Sequence, residues 1–150
     1  GSVLERKLDR KQLFQFYIGA GLFASVVYII FRNILFELYG PIINGAITLG
    51  PAVGASGAVV AVCAAVAMLY PEAEVLLYFF IPMKIRTALM LFAGIEGINL
   101  AFKIAGITLP IIGGFASSAH LAGLIVGVWF GRKLRERLSS QVGVLDLFGY

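Results

Sequence analysis

The chain has 150 residues, 60% of them hydrophobic and 13% charged, with 18 glycines and a formal charge of +4. Soluble domains carry about 25% charged residues, so this composition excludes an ordinary soluble protein of the same length. The basic residues gather at the ends of apolar runs rather than in a stripe, which argues against a nucleic-acid partner.

Four uncharged or nearly uncharged windows have the length a helix needs to cross ~30 Å of hydrocarbon, about 20 residues. They run approximately over 12–31, 54–70, 87–105 and 114–131, and together they predict an all-α, polytopic membrane helix bundle forming one domain over 1–150. Backbone polar groups in lipid must be satisfied within the segment, which makes each window a helix. The first is preceded by a charged stretch and does not read as a cleavable signal. A glycine- and proline-bearing loop, Arg32–Val53, follows it. The connection Pro71–Arg86 contains an apolar stretch, Val75–Met83, too short to span and expected at the interface or partly buried.

Four spans put both termini on one side, with the connection between the second and third helices. Ten of the twelve basic residues fall there, and only Arg32 and Lys103 fall opposite. The positive-inside rule then places both termini in the cytoplasm of an integral membrane protein, expected in the plasma membrane. Trp129, Tyr70 and Tyr78 sit near the cytoplasmic boundaries as interfacial aromatics, and the Arg132–Arg137 cluster anchors the topology against the bilayer. The lone Cys63 lies within a span and forms no intrachain disulfide.

Depth singles out two side chains. At a rise of 1.5 Å per residue, His120 lies roughly 18 Å above Arg132, and Ser56 roughly 21 Å above Tyr70. Two independent helix ends thus bring them to one level, short of the outer surface, and the second helix starts inside the membrane. Its first N–H groups are preorganised donors at a positive helix end, suited to an oxyanion. Gly57, Ala61 and Ala65 repeat every four residues; Ala116, His120, Gly123, Gly127 and Gly131 form a second stripe of small residues. If the stripes face each other, serine and histidine meet, and histidine has the chemistry to take the serine's proton. A serine among glycines is by itself an ordinary packing residue, whereas an ionisable group in a span is costly and usually functional.

Glu96 is the carboxylate well inside the third window, near the same level. Its simplest reading is a protonated or water-facing carboxyl hydrogen-bonded near Asn99; the sharper reading makes it an orienter of His120. One histidine and one cysteine in separate spans supply too few ligands for a metal.

Gly54-Ala55-Ser56-Gly57-Ala58 resembles the GxSG motif, and Ala119-His120-Leu121-Ala122-Gly123 the AHxxG motif, of the rhomboid family of intramembrane serine proteases. The resemblance covers essentially the whole chain and implies a rhomboid-like fold whose four helices look like the third to sixth of the family's six. It implies a Ser–His dyad without a third carboxylate and without cofactor, cleaving membrane-protein substrates in or near their transmembrane segments. Ser56 would be the nucleophile and His120 the general base. The Ala55 and Ser56 N–H groups would form the backbone part of the oxyanion hole, with Gly54, Gly57, Ala61, Gly123 and Gly127 supporting the helix packing.

Three departures accompany it. The preceding two helices, with the HxxxN motif that helps build the oxyanion hole, are absent from this sequence, as in a truncated or proteolysed product whose missing helices come as a separate piece. Losing one oxyanion donor costs about 10² to 10³ in rate. Val60 stands four residues after the serine, where some members stack an aromatic on the histidine, and neither Asn44 nor Asn99 matches the missing asparagine. Alternatives are a non-catalytic binder of membrane proteins, like the family's pseudoproteases, or an inactive fragment of the protease. A transporter fragment would predict an internal repeat, and none is visible.

Overall fold

The computed structural model describes residues 8–39, 55–77, 81–105, 107 and 117–147. Among the described residues there are four helices: α1 (Arg10–Tyr39), α2 (Ala55–Leu69), α3 (Ile85–Ile104) and α4 (Ser117–Leu147). A two-stranded antiparallel hairpin, β1 (Glu74–Leu77) and β2 (Ile81–Lys84), joins α2 to α3.

Helix α1 runs eight residues past the apolar window expected to end at Phe31. Hydropathy stops at Arg32, but helix-compatible residues continue to Tyr39, and the sequence first breaks at Gly40-Pro41. Its faces divide cleanly. Phe14, Ile18 and Leu22 are exposed one turn apart, while Ala20 and Ala24 are buried. The Ser25 hydroxyl donates to the Gly21 carbonyl at 2.9 Å, so its polar group is satisfied within the helix.

Helix α2 has 15 residues, about 22 Å of rise, and buries Gly57, Ala58, Ala61, Ala64, Ala65 and Ala67. It lies between α1 and α4 because nearly every turn offers a methyl group or a hydrogen in place of a bulky side chain. A Cβ added at Gly123 or at Gly127 would strike the carbonyl oxygen of Gly57 or of Ala61 respectively. One added at Gly131 would sit 2.9 Å from the Ala65 Cα. Backbone therefore meets backbone along this seam, the close approach that small residues allow in membranes. On the other side of α2, Gly57 abuts the Ala24 methyl of α1, 2.5 Å from where a Cβ would stand.

Two apolar layers close the three-helix unit. Near the site, Ala24, Ala119 and Ala122 pack with Val27 and Tyr28. Toward the basic end, Ala65 and Leu134 pack with Leu13, Phe16 and Phe130, the two phenyl rings stacked at 4.0 Å between centroids. Helix α4 continues well beyond the expected end at Gly131, through the charged run to Leu147; its arginines and lysine are good helix formers, and there Lys133 Nζ lies 4.3 Å over the Trp129 ring. Residues 114–116, included in the fourth expected span, lie outside the described residues.

The segment between α2 and α3 corrects the all-α expectation. Its apolar stretch pairs as a hairpin in the register Glu74↔Lys84, Val75↔Met83, Leu76↔Pro82 and Leu77↔Ile81. Pro82 forbids a helix interior and is tolerated on an edge strand, while cross-strand bonds satisfy a backbone too short to span. The Ile85 N–H donates to the Ala73 carbonyl at 2.7 Å, and Glu72 pairs with Lys84 at 2.5 Å and Arg86 at 3.1 Å. Those contacts fix where α3 begins.

Among the described residues, two segments, Arg10–Leu38 and Ile85–Ile104, are long and apolar enough to cross a membrane, and Ala55–Leu69 is a shorter apolar helix. Phe14, Leu22, Met90 and Ile125 are more than three-fifths exposed, a surface suited to lipid and not to water.

Candidate active site

Ser56 is the second residue of α2 and His120 the fourth of α4. The glycine seam brings these ends together: at Gly57 a Cβ would lie only 3.1 Å from the Ala119 carbonyl oxygen. One residue to either side of that contact, Ser56 Oγ and His120 Nε2 stand 3.1 Å apart. Ser56 is exposed while the histidine side chain is only 12% exposed, so the ring is held within protein.

Helix α3 supplies the other side of the ring. Glu96 Oε1 is 2.7 Å from His120 Nδ1, and the glutamate is 3% exposed. Of the simpler expectation for Glu96, a protonated or water-facing carboxyl near Asn99, the water-facing form is corrected: the carboxyl is buried against the imidazole. Ser117, the first residue of α4, is buried beside the same carboxyl. Phe92, one turn before Glu96, places its ring 5.7 Å from the imidazole at 47°. Val60 leaves the serine's helix without an aromatic one turn on, and the ring contact comes from α3 instead. Sequence reasoning missed Phe92, although its spacing of four from Glu96 puts both on one helical face.

Ala55 and Ser56 are the first two residues of α2. Gly54 and Asn44 lie outside the described residues. Asn99 is buried on α3, one turn beyond Glu96. Cys63 is exposed on α2, bordering a shallow groove against α1 with Phe14 and Tyr17. At the hairpin, the hydrogen bond from Lys84 holds the Glu72 carboxyl below the usual glutamate range, with Arg86 adding to the effect.

The apolar helices, their outward-facing aliphatic side chains and the close-packed small-residue seam define a helical membrane protein. The model of the Rhomboid domain matches residues 1–137, and the chain belongs to the rhomboid family. Similar curated proteins include Rhomboid protein 1, mitochondrial, of Saccharomyces cerevisiae, 28% identical over 142 residues, 94% of this chain and 36% of that protein. The Presenilin-associated rhomboid-like protein, mitochondrial, of Homo sapiens is 31% identical over 123 residues, 82% of this chain and 28% of that protein. The protein of the same name from Pongo abelii matches to the same extent. The chain thus spans about a third of the length of the curated relatives it matches. No solved structure matches it significantly. Those relatives carry mitochondrial names, so they lend no support to the expected plasma-membrane location.

Proposed function

We propose that this chain carries the hydrolytic centre of a rhomboid-type intramembrane serine protease, cutting peptide bonds in or next to the transmembrane segments of other membrane proteins. The observation that carries the reading is the 3.1 Å approach of Ser56 Oγ to His120 Nε2 at the start of a helix. His120 takes the hydroxyl proton as Ser56 attacks the scissile carbonyl, and the N–H groups of Ala55 and Ser56 receive the developing oxyanion. His120 then returns the proton to the leaving amine, so the C–N bond breaks and an acyl-serine remains. Water, deprotonated by the same nitrogen, cleaves that ester and restores the serine. In this reading the two preceding family helices complete the oxyanion hole, both termini share the side of the basic residues, and no cofactor takes part.

Covalent labelling with a serine-directed fluorophosphonate tests it, on this chain and on a version joined to the two preceding family helices. The expected result is labelling at Ser56 that disappears in His120→Ala. Absence of Ser56 labelling in the joined version overturns the protease reading and leaves a non-catalytic binder of membrane segments.

A further inference from the structure

Burying a carboxyl in a membrane protein is costly unless a partner compensates it, so the placement of Glu96 needs a cause. Apolar packing does not provide one. The buried residues of α3 are Glu96 and Asn99, while Met90, Leu91, Ile95 and Ile98 of the same helix are exposed. The helix thus turns its most polar side chains inward, and Glu96 meets the one ring nitrogen that Ser56 does not use. Phe92 extends the same face by one turn and sets its ring 5.7 Å from the imidazole, tilted by 47°.

We propose that Glu96 is a positioning residue for His120, fixing its tautomer and ring orientation, so that Ser56, His120 and Glu96 work as a triad with Phe92 steadying the ring plane. The proposal rests on the protease reading for its consequence in rate, but its effect on the imidazole is measurable without any reaction. A carboxylate has acceptors only. Facing Nδ1, it requires that nitrogen to carry the hydrogen, which leaves the Nε2 lone pair directed at the serine hydroxyl. An imidazole with no such acceptor distributes its hydrogen over both nitrogens and flips about χ2, and in either exchanged state it cannot take the serine's proton. When His120 becomes positively charged during attack, the carboxylate 2.7 Å away also offsets that charge in a site largely screened from water.

The test uses the full chain, alone and joined to the two preceding helices, as wild type, Glu96→Gln and Glu96→Ala, with ¹⁵N-labelled histidine. Because His120 is the sole histidine of this chain, the spectra are taken on the chain alone, where the nitrogen shifts report its tautomer directly, and the joined version serves for Ser56 labelling. The expected wild-type spectrum shows hydrogen on Nδ1, with a downfield proton that is lost in Glu96→Ala. Ser56 labelling is expected to slow by about 10² to 10⁴, in line with a triad histidine whose tautomer is no longer fixed. Glu96→Gln keeps the side-chain volume, so it decides the matter if Glu96→Ala fails to fold; it is expected to show mixed tautomers and slowed labelling. Hydrogen on Nε2 in the wild type, or Glu96→Gln with unchanged tautomer and a labelling rate within about twofold, overturns the positioning role. If wild-type Ser56 never labels, the protease reading fails, while the tautomer spectra still decide the role of Glu96.

Discussion

At the scale of single residues, the site divides its work between two atoms of one ring. Nε2 faces Ser56 and Nδ1 faces Glu96, and the Phe92 ring stands 5.7 Å from the imidazole. Tilted aromatic pairs contribute about 0.5–1.5 kcal/mol, and each 1.36 kcal/mol is a factor of ten in rate. Phe92→Leu is therefore expected to slow fluorophosphonate labelling of Ser56 by roughly two- to tenfold. A loss beyond about a hundredfold would mean that the ring does more than steady the imidazole. Ser56 and His120 were legible in the sequence because depth can be counted from helix ends. For Glu96 the sequence offered His120 only as one of two readings, because a hydropathy window gives the level of a side chain but not the direction it points. Only the spacing of Phe92 and Glu96, read together, carried that direction.

The helices differ in how they are held. The α2–α4 seam joins backbone to backbone, so its glycines tolerate nothing larger: Gly127→Ala would press a methyl group into the Ala61 carbonyl and the Ala64 side chain. Overpacking of this kind costs about 1–3 kcal/mol. Gly94 on α3 has nothing within 4 Å of a Cβ position, so Gly94→Ala is expected to be neutral or to stabilise the helix by about 0.5–1 kcal/mol. Unfolding curves in mild detergent should separate the two variants, with opposite signs. The hairpin makes a pH prediction. The folded Glu72 carboxyl titrates below its usual range, so its contribution is present above the ordinary glutamate pKa and fades as pH falls through the lowered value. Amide exchange in β1 and β2 is expected to quicken across that window, and Glu72→Gln should remove the pH dependence while leaving the strands paired. The strand pairing itself was hidden in the sequence, since two short, largely apolar strands look the same as a buried loop until pairing is seen. The extra length of α1 and α4 was hidden for a related reason: hydropathy marks where the apolar run stops, whereas a helix can continue through charged residues.

For the whole molecule, the proposed orientation sets both ends of the chain on the side of the basic residues. In Cys63→Ser vesicles, a cysteine placed at Ser139 should react with an impermeant maleimide from that side, and one placed at Asn33 from the other. Reaction of both from one face would discard the four-span arrangement.

A contact between two backbones has no rotamers. Gly57, Ala61 and Ala65 against Gly123, Gly127 and Gly131 therefore set the spacing of α2 and α4 by fixed atoms, and the separation of Ser56 from His120 inherits that tolerance. Side chains on the outer faces of the same helices, such as Val59, Ile125 and Trp129, meet the surroundings without taking part in this contact. The outer surface is thus free to follow the thickness and composition of whatever bilayer surrounds it. Adaptation to lipid and alignment of the reacting atoms become separate problems, met on opposite sides of the same two helices.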